Sequence, residues 1–151
     1  MGVTIHYSGT LKSPAEKEGF LKEATTLAAK MGWEIETNTD SKIGVTFIPS
    51  PDCEPLELNF DENGSVESWV KTQFAGADNH IYIIDFLTQI SSHFSVLTIE
   101  DEGEFWETRN PEILQDHFDR IAAVLEDMRR ENPKARGPLR MENRRIVDLV
   151  S

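Results

Sequence analysis

Cysteine is nearly absent from the sequence, with Cys53 as the only one among 151 residues. A single thiol excludes an internal disulfide framework and is typical of a reducing cytosol. The sequence also lacks the run of roughly 20 apolar residues that a membrane-spanning helix requires. Its first residues, MGVTIHYSG, lack the basic and apolar regions of a secretory signal, and His6 stands where a myristoylation motif has Ser or Thr. We therefore expect a cytoplasmic protein without a membrane partner.

The common catalytic and metal-binding motifs are missing as well. The sequence has no HExxH, no Walker loop, no GxGxxG, no GxSxG elbow and no cysteine pair for zinc. Acidic residues surround Cys53 in the sequence, which should raise the pKa of its thiol and oppose nucleophilic chemistry. We expect no catalytic residue and no cofactor, and the missing motifs favour a non-enzymatic protein over an enzyme.

Basic residues are scarce and unevenly placed. Fifteen Lys and Arg stand against 27 Asp and Glu, for a formal net charge of -12. Seven of the basic residues lie within residues 129–151, where only three acidic residues occur. The body of the protein is therefore strongly acidic and should repel a phosphate backbone, which excludes nucleic acid as its partner. A basic protein partner fits this charge better.

The hydrophobic pattern predicts a mixed fold. Alternating residues predict strands over 3–7, 33–37, 43–48, 56–60, 65–74 and 96–100, with Asn63-Gly64 as a tight turn and 105–108 as a further strand that pairs back. Helical spacing predicts three helices: one after the capping pattern Ser13-Pro14, one over 79–93 with Asp78 as its N-cap, and one from Asn110-Pro111 to Asn132-Pro133. Because most strands follow one another directly, we expect an α+β fold. It should have a mostly antiparallel sheet of about six strands and two or three helices mainly on one face.

The last 19 residues differ from the rest. We expect residues 1–132 to form a single α+β domain and residues 133–151 to form a basic and aliphatic extension. Arg140, Arg144 and Arg145 precede Ile146 and Val147. A free tail has no reason to hold such aliphatic residues, so we predict that residues 139–150 dock on acidic residues of the body. A segment exchanged between two copies would make a homodimer.

One polar cluster is a weak candidate for a metal site. His80 lies in the first turn of the second helix, and the acidic turn Glu100–Glu104 contains Asp101 and Glu102. If the helix and the turn met, His80, Asp101 and Glu102 could bind a divalent cation. The simpler alternative, which the sequence favours, is that His80 is a hydrogen-bonded structural residue.

The same turn offers candidate contacts for a partner protein. Phe105 and Trp106 follow the carboxylates of Glu102 and Glu104, and an aromatic side chain rimmed by charge is common at interfaces. The alternative is that Trp106 belongs to the core. From these features we expect a cytosolic protein-interaction module, of which an inhibitor or immunity protein for a basic partner is a specific form. A small metal-binding protein or hydrolase, with its site near His80 and the Glu100–Glu104 turn, is the alternative.

Three segments resemble a bacterial family of small proteins of unknown function: TIHYSGTL at 4–11, TQFAGADNH at 72–80 and DEGEFWETRN at 101–110. The likeness covers the opening strand and the region 72–109. It implies a bacterial cytosolic protein and attaches no activity or site residue to it.

Overall fold

The fold was described from a computed structural model, which covers residues 2–38 and 43–150. The strands are Thr4–Leu11 (β1), Glu34–Asn38 (β2), Ile43–Ile48 (β3), Leu56–Phe60 (β4), Ser65–Lys71 (β5), Phe94–Asp101 (β6), Leu139–Arg140 (β7) and Ile146–Val147 (β8). The helices are Glu16–Lys30 (α1), Ala77–Ile90 (α2), Phe105–Thr108 (α3) and Pro111–Glu131 (α4). The predicted α+β class is confirmed.

The strands form three antiparallel sheets rather than one sheet of six. The first has the order β5-β1-β6, the second β2-β3-β4, and β7 pairs with β8. The chain turns from β4 into β5 at Asn63-Gly64, as predicted, with a positive φ of 78° at Gly64. The first and second sheets, which contain β5 and β4, nevertheless do not merge. The side chains of Glu54 and Arg145 form hydrogen bonds with the backbone of β5 on its side away from β1.

The core lies between the inward faces of these sheets and the helices. Alternating residues of the strands are buried, such as Ile5 and Tyr7 in β1. Helical spacing in the sequence predicts seven core residues in α1, α2 and α4; six of them are buried, and the seventh, Leu27, is half-buried against the core. The six are Phe20, Leu87, Ile90, Phe118, Ile121 and Leu125.

Helix ends follow the predicted signals in part. Asn110 caps α4 as expected, its Oδ1 accepting from the N–H of Glu112 at 2.9 Å. Helix α1 begins at Glu16, because Ser13 makes no side-chain cap and instead closes a turn through its carbonyl. Helix α2 begins at Ala77 after Gly76, so Asp78 lies in its first turn rather than at the cap.

Residues 105–108 form a helical turn and not the expected strand. The cause is the side chain of Asp101, whose Oδ2 accepts hydrogen bonds from the N–H groups of Phe105 and Trp106 at 3.0 and 2.9 Å. These bonds satisfy the free donors of a helix start and direct the chain away from β6. Glu104 and Arg109, on either side of the turn, adopt positive φ angles of 58° and 54°.

Candidate functional site

A chain of three buried polar side chains connects β5, α2 and β6. Thr72 Oγ1 lies 2.6 Å from Nδ1 of His80, and Nε2 of His80 lies 2.9 Å from Oδ1 of Asp101. The side chains of Thr72, His80 and Asp101 are inaccessible to solvent. The carboxylate only accepts hydrogen bonds, so Nε2 is the protonated nitrogen, and Nδ1 faces the hydroxyl.

The local sequence explains how these groups meet. Asp101 ends β6 on its inward face, opposite Ile5 of β1, and the first turn of α2 brings His80 over it. Gly103 then allows the turn to close, since a Cβ at that position would lie 2.5 Å from a methyl carbon of Leu114. Its N–H donates to Oδ1 of Asp101 at 2.8 Å. The network therefore holds the end of the first sheet against α2 and α3.

Electrostatics keep the Asp101 carboxylate ionised. Burial by itself raises its pKa, but the hydrogen bonds from His80 and from the backbone of Trp106 and Gly103 more than offset this effect. The net result is a pKa below the ordinary aspartate value. His80 donates to a charged acceptor, which is a stronger hydrogen bond than one between neutral groups.

The order hydroxyl, imidazole, carboxylate is that of a hydrolase triad, but the burial of Thr72 leaves no path to a substrate. Both ring nitrogens of His80 are engaged by Thr72 and Asp101, so neither can bind a metal. Across residues 2–38 and 43–150, no group of three His, Cys, Asp or Glu side chains could hold a metal ion. The structure brings the predicted residues His80 and Asp101 together, but Glu102 faces away from them, 3.9 Å from His6.

The predicted contact residues at the same turn have different surroundings. Phe105 is buried in the core, and Trp106 is half-buried with the guanidinium of Arg109 over its ring. Glu104 accepts from His117 Nε2 at 2.7 Å. The turn therefore offers a partner the carboxylates and one side of Trp106, but not Phe105.

A larger exposed surface lies on the opposite side of the first sheet. We call it the outer face; its side chains alternate with the core residues of the same three strands. It comprises His6, Ser8 and Thr10 of β1, Ser65, Glu67 and Trp69 of β5, and Val96, Thr98 and Glu100 of β6. A depression of about 530 Å³ crosses it, with Trp69 on one wall and Glu100 on the other. Trp69 and Val96 are 45% and 56% exposed, high values for large apolar side chains on a sheet.

The outer face is acidic. Glu67 and Glu100 are exposed on it, and Glu102 continues the line beyond the end of β6. His6 lies in the row between Trp69 and Glu100, and the guanidinium of Arg145 lies on the ring of Trp69 at the edge of the face. The alternation of His6 with Ile5 and Tyr7 in the sequence predicts that one sheet face holds His6. No such local pattern indicates Trp69, because its neighbours across the sheet depend on the register of distant strands.

The carboxyl-terminal segment lies against the body beside this face. The guanidinium of Arg145 bonds Glu54 Oε1 at 3.1 Å, Glu57 Oε1 at 3.2 Å and the carbonyl of Trp69 at 2.6 Å. It also stacks on the ring of Trp69, 4.3 Å from the centroid. Arg144 pairs with Glu36 through both of its terminal nitrogens.

Glu54 is the centre of this contact. Its carboxylate is almost inaccessible and accepts from the N–H groups of Lys71 and Ile146 at 3.0 and 2.7 Å as well as from Arg145. Lys71 in turn donates to Asp148 at 2.8 Å. Arg144 and Arg145 are therefore paired with acidic groups of the body, whereas Arg140 donates to the backbone carbonyls of Pro51 and Cys53. Ser151 lies outside the described residues, and the exchange of this segment between two copies stays a prediction.

Comparisons with known proteins add no assignment. The chain matches no protein-family model, no curated protein and no solved structure. The resemblance to a bacterial family at 4–11 and 72–109 therefore stays a prediction. Among the described residues, no helix has both the length and the apolar character needed to cross a membrane.

Proposed function

We propose that the protein is a cytosolic, non-catalytic binding protein that holds a basic partner protein on its outer face. The observation that supports this proposal is the 45% exposed side chain of Trp69, which lines the depression of the outer face together with Glu67 and Glu100 and has Arg145 stacked on its ring. An exposed aromatic side chain within a polar rim is the usual centre of a protein interface.

Charge indicates the kind of partner. The protein carries a net charge of -12, and the arginines Arg144 and Arg145 are already paired with Glu36, Glu54 and Glu57. The exposed carboxylates of Glu67 and Glu100 on the outer face would attract lysine and arginine side chains and increase the rate of association at low salt. An inhibitor or immunity protein that covers the basic groove of a toxin or nuclease is the specific form of this function.

A titration with a defined peptide tests the proposal. The probe is a fluorescently labelled peptide of roughly eight to ten residues with alternating lysine and valine, about the length of a strand. The control is a peptide of the same length with glutamate in place of lysine. We expect fluorescence anisotropy to show binding of the lysine peptide alone, weakening strongly towards about 0.5 M salt because screening shortens the reach of the charges.

Variants locate the binding surface. Trp69→Ala should weaken binding about 30-fold if Trp69 is a central contact, since such residues contribute about 2 kcal/mol or more. Tyr82→Ala is the matched control, because Tyr82 is 51% exposed on α2, away from the face. Glu67→Gln with Glu100→Gln should weaken binding about tenfold, and Glu126→Gln on α4 should not. Equal binding of both peptides, or equal loss in the control variants, would refute the proposal.

A further inference from the structure

The first sheet has two edges, and the register determines which backbone groups each of them presents. Thr72 donates to the carbonyl of Val3, so the odd residues of β1 exchange hydrogen bonds with β5. Glu102 donates to the carbonyl of Thr4, so the even residues bond β6. The backbone groups of β6 that point away from β1 therefore belong to Leu97 and Ile99, whereas Ser95 lies in a bulge where the register shifts between Thr10 and Leu11.

The edge at β5 is closed by the protein itself. The N–H of Lys71 donates to Glu54 Oε1, and its carbonyl accepts from the N–H of Glu54 at 3.4 Å. The carbonyl of Trp69 accepts from Arg145, and the carbonyl of Ser65 accepts from the N–H of Asp61 at 3.0 Å. A new strand cannot pair with β5 without displacing these groups.

The edge at β6 is open. Within residues 2–38 and 43–150, no group hydrogen-bonds the outward N–H or carbonyl of Leu97 or Ile99. The strand contains neither Lys nor Pro, which commonly protect such an edge, and its bulge lies at Ser95, so the open part runs from Val96 to Asp101. Proteins use open edges of this kind to add a strand from a partner.

We infer that the partner binds as an extended basic segment that adds a fourth strand to the first sheet along β6. This inference rests on the proposed function and specifies the form of its partner. Alternate side chains of the added strand would lie beside Val96, Thr98 and Glu100 on the outer face, where the carboxylates of Glu100 and Glu102 favour lysine or arginine. A second copy of this chain is a poorer occupant, because both copies would carry a charge of -12.

Amide hydrogen exchange, followed by NMR, tests this pairing without any mutation. In the free protein the amides of Leu97 and Ile99 should exchange quickly, whereas those of Val96, Thr98 and Glu100, bonded to β1, should be protected. Saturation with the lysine–valine peptide should slow exchange at the amides of Leu97 and Ile99 at least about tenfold. The glutamate–valine peptide should leave them unchanged.

The outcomes separate the two proposals. If the lysine peptide binds and shifts the outer-face signals but the amides of Leu97 and Ile99 keep exchanging quickly, strand addition is wrong and the proposed function stands. If it does not bind at all, both are wrong. If these two amides are protected in the free protein in a concentration-dependent way, a second copy occupies the edge and the inference is overturned.

A pair of variants at Leu97 gives an independent test. Leu97→Pro removes one outward N–H, and an edge strand tolerates proline where the missing N–H would face solvent. Leu97→Ala keeps the N–H and removes the same apolar side chain. We expect the peptide to bind Leu97→Pro at least about fivefold more weakly than Leu97→Ala. Equal binding would contradict the inference.

Discussion

Replacing Asp101 by alanine tests the role assigned to the buried network. The carboxylate accepts four hydrogen bonds, from His80 Nε2 and from the N–H groups of Gly103, Phe105 and Trp106. A buried donor left without a partner costs about 1 to 3 kcal/mol, although the short turn can relax and expose some of these groups. We therefore expect the free energy of unfolding to fall by about 3 to 5 kcal/mol, as for the loss of one partner of a buried ion pair.

Urea denaturation with linear extrapolation measures this change in the free energy of unfolding. The control is Glu100→Ala at an exposed neighbouring position on β6, for which we expect a change within about 0.5 kcal/mol. The effect should also depend on pH. Because the folded protein lowers the pKa of Asp101, the stabilisation is fully present above the unfolded value near 3.9 and is lost as the pH falls through the folded value. A loss below about 1 kcal/mol at neutral pH would refute the structural role of the network.

Three further predictions concern other parts of the molecule. Arg145→Ala leaves the buried Glu54 carboxylate without its cation and should lower the free energy of unfolding by about 3 kcal/mol in the same urea titrations. The control, Arg130→Ala, breaks the exposed pair of Arg130 with Asp127 and should change the free energy of unfolding by less than about 1 kcal/mol. Burial lowers the pKa of His93, but its hydrogen bonds to Glu16 and Glu23 raise the pKa by more, so the net pKa lies above the ordinary histidine value. The difference in unfolding free energy between the wild type and His93→Gln should therefore be largest below about pH 6.5 and vanish as the pH rises through the folded pKa. A difference independent of pH would contradict this prediction. Burial and the Glu54 carboxylate raise the pKa of the Cys53 thiol to about 12. A thiol reagent at pH 8 should therefore label Cys53 only after denaturation, and rapid labelling of the folded protein would count against the structure.

Much of the fold could be predicted because its signals are local. Asn110-Pro111 begins α4 and the tight turn at Asn63-Gly64 joins β4 to β5, since caps and turns depend on a few adjacent residues. The α+β class follows from the order of these elements. The expected strand at 105–108 was wrong for a local reason too: the side chain of Asp101 caps the chain there, and a strand pattern does not reveal a side-chain cap.

The candidate site could be predicted only in part. The sequence suggested that His80 would interact with the acidic turn if the two met, but their contact depends on how α2 packs across β6. Strand alternation then decides which carboxylate His80 meets: Asp101 faces inward and Glu102 outward. The row formed by Trp69, His6 and Glu100 joins three strands from distant parts of the chain, and no short-range pattern encodes that register.

The three tryptophan indole N–H signals give the most direct test of where a basic partner binds. Trp33 is buried, Trp106 lies at the acidic turn, and Trp69 lies on the outer face. In an NMR titration with the lysine–valine peptide, we expect the Trp69 signal to shift together with the amides of β6, while the signals of Trp33 and Trp106 stay in place. A shift of Trp106 without Trp69 would assign the partner to the acidic turn instead, and unchanged signals for all three would contradict the binding function itself.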